Sequence, residues 1–287
     1  LRLEYATDGG GSFLPATDAG GGSRPGNPVL GDPPGADTWE WAVSTDLPGG
    51  GPTDVIFRLT VSDAGRGGGG GGGVVVRGRR GAEGGGVGEF RPCDVRDPDA
   101  VEALLDGIAA DHGGIDVVVN NAGGAPTTTS ATDSPNFTRK LIELNLLSPI
   151  FVSRFAYRHL AAAPDGCIVN IASVSGVRPS PSNSVYGAAK AGLLGWNRSL
   201  AAEWGAAVRV NAVVVGLIRT ELAHLHYGDE AGIARVEQTI PAGRMGTPND
   251  VAEACWWLAS PAAAWVSGAE LEVHGGGEPP AFLGTTD

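Results

Sequence analysis

The stretch Cys167-Ile168-Val169-Asn170-Ile171-Ala172-Ser173, continued by Val174-Ser175-Gly176-Val177-Arg178-Pro179-Ser180-Pro181-Ser182-Asn183-Ser184-Val185-Tyr186-Gly187-Ala188-Ala189-Lys190, decides how the chain reads. An apolar run of strand length ends on a hydroxyl, a loop rich in Ser and Pro follows, and the text then turns helical. Tyr186 and Lys190 stand four residues apart, so one helix puts them on one face. An ammonium beside a phenol favours the phenolate and draws its reference pKa of about 10 toward neutrality, where it works as an acid or base. Ser173, at the strand end, can hold a carbonyl or alcohol oxygen. This is a strand-to-helix unit carrying a proton-transfer site.

The same alternation extends on both sides. Ile115–Val119 is a strand that ends in Asn120-Asn121-Ala122-Gly123, Val208–Val215 is another, and Glu270–Val273 is the last. Asp97-Pro98 caps a helix with Val101, Leu104, Leu105 and Ile108 on one stripe, and Ser134-Pro135 opens a long one along Phe137, Leu141, Leu144 and Leu147. Asn249-Asp250 starts a helix through Cys255 to Leu258. Upstream, Val74–Val76 reads as a buried strand and Glu89–Val95 as a second. Apolar strands alternating with amphipathic helices predict an α/β fold, a doubly wound parallel sheet of Rossmann type from about residue 74. Ligands on such sheets bind beyond the carboxyl ends of the strands, where Asn120, Ser173 and Gly216 all fall.

Composition excludes several classes. A net charge of −12 over 287 residues argues against a nucleic-acid partner. No apolar run reaches the about 18 residues of a membrane span, and the first residues lack a signal peptide's basic start and apolar stretch. Cys93, Cys167 and Cys255 are odd in number and widely spaced, which points to neither a disulfide framework nor a zinc site. A cytoplasmic protein without a membrane partner is expected. Of the 47 glycines, more than half precede residue 91, so the chain has two compositional regimes.

Asn120-Asn121-Ala122-Gly123, Asn145, Ser173, Tyr186-x-x-x-Lys190 and Val210-Asn211-Ala212, in this order, resemble the short-chain dehydrogenase/reductases. A serine 13 residues before the tyrosine and an asparagine 28 before the serine make the combination specific. The resemblance runs from about Val74 to Leu283, and its C-terminal part is similar to bacterial, actinobacterial members. It implies that Tyr186 exchanges a proton with the substrate oxygen while hydride moves to or from a nicotinamide. Lys190 would depress the tyrosine pKa and bond the nicotinamide ribose, Ser173 would orient the substrate oxygen, and Asn145 would position a water in a proton relay. Asp94 and Val95 would meet the adenine, Asn121, Ala122 and Gly123 would line the adenosine ribose, and Ile218 and Thr220 would contact the carboxamide and a phosphate. Arg79, just past the Val74–Val76 strand, sits where the family selects its cofactor, and an arginine there accommodates a 2′-phosphate, which puts NADP ahead of NAD. A solvated Arg79-Arg80 loop pair is the competing reading. The partner is then a small-molecule carbonyl or alcohol, and a homodimer or homotetramer is implied by analogy.

Some residues carry blander alternatives. Asn145 could break a helix, and Ser175 has the wrong spacing and reads as structural. Trp256-Trp257 reads as core or subunit interface. His224, His226 and Tyr227 lie in the variable substrate lid, where a metal site would need a further ligand.

The family begins with a strand, a glycine motif that cradles pyrophosphate, a helix, and then the strand matching Val74–Val76. Here Gly65, Gly69 and Gly71 fit the glycine spacing, but a glycine run fits any such pattern. Only Gly72 and Gly73 separate them from Val74, whereas a parallel crossover needs a dozen or so residues. Residues 1–73 are therefore a low-complexity extension before a catalytic domain spanning 74–287. Three accounts stay open: a wrong-frame translation, favoured by the abrupt change of composition; a native segment that leaves weak or no cofactor binding; or an unconventional replacement of the first strand and helix by an earlier segment. In structure the segment reads as a disordered extension, with a small β appendage as the alternative. The expected activity is hydride transfer between NADP(H) or NAD(H) and a carbonyl or secondary alcohol. The alternative is a non-catalytic Rossmann-like scaffold.

Overall fold

A computed structural model describes residues 91–220 and 223–279 and, ahead of them, the backbones of six strands. These are β1 (Arg2–Ala6), β2 (Phe13–Pro15), β3 (Glu40–Ser44), β4 (Val55–Phe57), β5 (Val74–Gly78) and β6 (Val87–Phe90). They pair antiparallel in two three-stranded sheets, ordered β2-β1-β3 and β4-β5-β6. The strand expected at Val74–Val76 is thus present but not in the parallel sheet, and the one expected over Glu89–Val95 stops at Phe90. Only residues 79–86 separate β5 from β6. That is too short for a parallel crossover, so the two close as an antiparallel pair. Arg79 and the glycines Gly65, Gly69 and Gly71 lie outside the described residues.

The parallel part follows the sequence closely. In chain order come α1 (Pro98–His112), β7 (Val117–Asn120), α2 (Pro135–Ile142), a π-helical turn (Glu143–Leu147) and α3 (Ser148–Leu160). Then follow β8 (Cys167–Ser173), α4 (Ser184–Trp204), β9 (Arg209–Val215), α5 (Ala223–Tyr227), α6 (Glu230–Glu237), α7 (Pro248–Ala259) and β10 (Glu270–Val273). The four strands form one parallel sheet in the order β10-β9-β8-β7.

Helix ends follow local chemistry. Asp97 accepts from the amides of Asp99 and Ala100 at 3.0 and 3.2 Å, and Pro98 takes the first turn, where its missing N–H costs nothing. Gly113 closes α1 at φ 81°, a conformation glycine adopts without strain. The α7 cap lies earlier than expected. Thr247 accepts from the Asp250 amide while the Asp250 carboxylate takes the Thr247 amide, a reciprocal capping box. Arg244 pairs with the same carboxylate and, with the Thr247 amide and hydroxyl, holds it well below the usual carboxylate range.

Alternation along the strands splits the core between two faces. Val118, Ile168 and Val210 pack with Val101, Leu105 and Ile108 of α1, Val152, Ala156 and Leu160 of α3, and Leu200 of α4. Val117, Val119, Val169 and Val213 point the other way, onto Val251, Cys255 and Leu258 of α7. Helices on both faces of a parallel sheet give the doubly wound architecture. Truncating a fully buried Ile108 or Leu160 to Ala would cost about 2–5 kcal/mol. Trp256 packs partly into the second cluster, and Trp257 stays substantially exposed. No helix of the described residues is long and apolar enough to cross a membrane.

Two polar arrangements brace the sheet. At its amino end the buried Arg209 donates to Asp165 at 3.1 Å and to the carbonyls of Leu258 and Ala263 at 2.7 and 3.1 Å. Nearer the other end, Asn120 donates to Ser153 and to Asn170, both at 2.9 Å, and Asn170 donates to Asn197 at 3.0 Å. This chain of buried amides ties β7 to β8, and both to α3 and α4. Satisfied buried networks of this kind fix a single arrangement.

Candidate active site

The site is assembled at the carboxyl ends of β7, β8 and β9. Ser173 is the last residue of β8, buried and extended, and its Oγ accepts from the Ser175 amide at 3.1 Å. Ser175 in turn accepts from the Ser180 hydroxyl at 3.1 Å, which makes it a brace for the loop. That loop lies directly on α4. A methyl at Gly176 would stand 2.8 Å from the Lys190 carbonyl carbon, and one at Gly187 would stand 2.8 Å from the Ser175 carbonyl oxygen. Glycine at both positions lets the backbones touch, which sets Ser173 against the first turns of α4.

Tyr186 and Lys190 do share a face of α4. The Lys190 Nζ lies 5.7 Å from the centroid of the Tyr186 ring. The direction of the tyrosine shift corrects the sequence expectation. Burial pushes the phenol above its ordinary value, Ser173 opposes this, and the nearby Tyr227 adds to the rise. The Lys190 Nζ donates to the Ile171 carbonyl at 2.7 Å. Burial also drops the Lys190 pKa from 10.5 to about 8. Among the described residues Ile171 is the one acceptor bonded to this buried ammonium, which has three donors to place.

Asn145 completes the inner wall. The helix expected to run unbroken from Pro135 widens at Glu143–Leu147 into a π turn, a feature frequent at functional sites. Asn145, fully buried there, donates to the carbonyls of Gly124 at 2.9 Å and Leu141 at 3.0 Å and accepts from the Gly124 amide at 2.8 Å. A methyl on Gly123 would meet the Asn145 Oδ1 at 2.8 Å and the Lys190 Nζ at 3.2 Å. The turn after β7, the π turn and α4 thus converge on one cradle.

The expected cofactor residues distribute unevenly. Val95, Asn121 and Ala122 line one small cavity, together with Val119, Asn120, Ser148, Pro149 and Val152. The Asp94 carboxylate is held by Arg96 at 2.9 and 2.7 Å, which lowers its pKa. Ile218 packs against Gly246, where an added methyl would fall 2.5 Å from its Cδ1, and Thr220 stands exposed at the entrance to α5. Gly216 touches His274, since a methyl there would lie 2.5 Å from the His274 Cβ. The slot is small and mostly apolar, Gly123 lies close against Asn145 and Lys190, and the Lys190 ammonium has donors to spare for a ligand hydroxyl. No three His, Cys, Asp or Glu side chains gather as metal ligands among the described residues.

Sequence reasoning placed Tyr227 in the substrate lid but missed the two charges beside it. Tyr227 of α5 interacts electrostatically with Tyr186, and both Arg178 and Glu278 act on Tyr227. The last two form an ion pair across a hundred positions of sequence, and no local pattern announces such a contact.

Comparison with known proteins gives the family. A family model described as enoyl-(acyl carrier protein) reductase matches residues 77–278. A 3-oxoacyl-(acyl-carrier-protein) reductase of Vibrio cholerae is 35% identical over 190 residues, covering 66% of this chain and 77% of that protein. The cis-4-hydroxycyclohexanecarboxylate dehydrogenase of Sinomonas cyclohexanicum is 40% identical over 185 residues, covering 64% and 74%. Among solved structures, the ligand-free aldohexose dehydrogenase of Thermoplasma acidophilum superposes with a TM-score of 0.63 at 34% identity, covering 65% and 76%.

Proposed function

Since the chain belongs to the short-chain dehydrogenase/reductase family of oxidoreductases, we propose that it moves a hydride between NADP(H), or NAD(H), and a small secondary alcohol or its ketone. The observation that carries this reading is the packing of the loop after Ser173 onto α4, beside Tyr186 and a buried Lys190 with donors in reserve. The dinucleotide supplies the hydride when bound; everything else is work for the side chains. Val95, Asn121 and Ala122 would hold its adenosine end, and Gly123, Lys190 and Tyr186 its nicotinamide ribose, with Asn145 fixing the wall behind.

In carbonyl reduction the substrate oxygen would lie between the Ser173 and Tyr186 hydroxyls. Ser173 donates and orients, and Tyr186 gives up its proton as hydride reaches the carbonyl carbon, so ketone, hydride and proton sum to an alcohol. A phenol raised by burial stays protonated at neutral pH and is ready to act as this acid. Alcohol oxidation needs the phenolate and is favoured as pH rises. Lys190 holds the ribose through hydrogen bonds and keeps Tyr186 in register one turn away.

The test is Tyr186→Phe. NADPH binding, followed by nicotinamide fluorescence, is expected to persist while turnover falls at least about a thousandfold. Retained turnover would refute the assignment of Tyr186 as the acid. A second reading, a scaffold that keeps the site but has lost its cofactor, draws on the antiparallel pairing of β5 with β6. Absence of saturable NADPH or NADH binding up to millimolar concentration would favour it.

A further inference from the structure

Two segments far apart in sequence meet beside the loop that follows Ser173, and their contact is charged. Arg178 follows Ser173 by five residues, on the loop that Gly176 and Gly187 hold against α4. Glu278 follows β10 after Gly275, Gly276 and Gly277, at φ 66°, 100° and 78°, backbone angles that other residues rarely adopt. This turn brings the Glu278 carboxylate side-on to the guanidinium. NH2 donates to Oε1 at 2.6 Å and Nε lies 2.6 Å from Oε2, while NH1 donates to the Pro179 carbonyl at 3.1 Å. The fork is therefore aimed by its own backbone and filled by a carboxylate of the same chain. The Arg178 amide donates to the Val174 carbonyl at 3.1 Å, one residue past Ser173, so the fork starts beside the end of β8.

The two side chains keep 39% and 27% of their exposure, so a ligand can reach the pair. A carboxylate that displaces Glu278 takes over the same two bonds, and a guanidinium fork discriminates sharply in favour of a planar carboxylate. We propose that Arg178 is the receptor for a carboxylate of the substrate, that the preferred substrates are hydroxy acids or oxo acids, and that Glu278 occupies the fork until such a substrate displaces it. The proposal rests on the hydride-transfer reading and adds a substrate class to it.

The probes are 4-oxopentanoate, 5-oxohexanoate and their methyl esters, offered with NADPH or NADH to the full chain and to the variants Arg178→Met and Glu278→Gln. Arg178→Met is expected to raise the KM of the acids about tenfold more than that of the esters, the loss of one charge-assisted fork. Glu278→Gln, which removes the internal competitor, should lower the KM of the acids and leave the acid-to-ester preference higher than in the unaltered chain. Acid and ester KM values moving together in Arg178→Met would overturn the proposal and leave the pair a simple latch. Failure of either acid to bind to the unaltered chain or to Glu278→Gln, in saturation-transfer NMR, would overturn it as well. That binding measurement needs no turnover. Loss of the acids alone, with ester reduction or NADPH binding intact, strikes this proposal; loss of all cofactor binding strikes the hydride-transfer reading instead.

Discussion

Two buried cations sit at opposite ends of the parallel sheet and are treated differently. Arg209, at the amino end of β9, is met by a carboxylate and two backbone carbonyls. Lys190, beside the carboxyl end of β8, is more deeply buried and is met by the Ile171 carbonyl. A structural cation is surrounded by acceptors because a buried charge is costly unless paired. A cation held short of acceptors costs stability, and the fold retains it where a ligand can complete its coordination. The contrast separates the end of the sheet that holds the molecule together from the end that does chemistry.

The largest expected effect comes from removing the under-paired cation. Lys190→Met should lower turnover at least about a thousandfold, yet leave Tm at pH 7 no lower than that of the unaltered chain. The sign follows from linkage. The pKa is 10.5 unfolded and about 8 folded, so below 8 the fold carries the full cost of burying the ammonium. Between these values the unfolded chain holds more protons than the folded one, and the stability of the unaltered chain rises with pH. Any stability advantage of Lys190→Met should therefore shrink above pH 8, as thermal melts across pH would show.

Arg209→Met should do the opposite. It strands carbonyl acceptors and is expected to cost about 3 kcal/mol in denaturant melts, with NADPH affinity unchanged in the folded fraction. Gly123→Ala pushes a methyl onto Asn145 and Lys190 and should weaken NADPH binding about tenfold, with a smaller effect on Tm. Smallest is Thr247→Ala, which opens the α7 capping box for about 1 kcal/mol. Because Arg244 and the Thr247 amide hold the Asp250 carboxyl below its ordinary range, this contribution is complete above about pH 4 and fades as pH falls further. A loss of nucleotide affinity in Thr247→Ala would blur the distinction between the two ends of the sheet.

The parallel sheet was legible because β7, β8 and β9 are largely apolar runs and the flanking helices carry cap chemistry, as Asp97-Pro98 and Ser134-Pro135 show. Ser173, Tyr186 and Lys190 could be picked out because a strand end and a four-residue helical spacing fix their places in advance, whereas Asn145 was named only through the family resemblance. Other features depend on contacts the sequence does not encode locally. The π turn at Asn145 follows from its bonds to Gly124, and the Arg178–Glu278 fork from a glycine turn far downstream. Val74–Val76 misled for a related reason, since an apolar triplet specifies a strand but not its partner or direction. The tyrosine shift misled because spacing places a lysine near a phenol without saying where its ammonium points.

The most direct test of Lys190 as a cation held in reserve for the ribose is the affinity for NADPH as a function of pH, compared between the unaltered chain and Lys190→Met. The affinity of the unaltered chain should be level at neutral pH and weaken as the ammonium deprotonates above about 8, while Lys190→Met binds more weakly and without that alkaline fall. Parallel profiles for the two proteins, or an affinity that the substitution leaves untouched, would contradict the account.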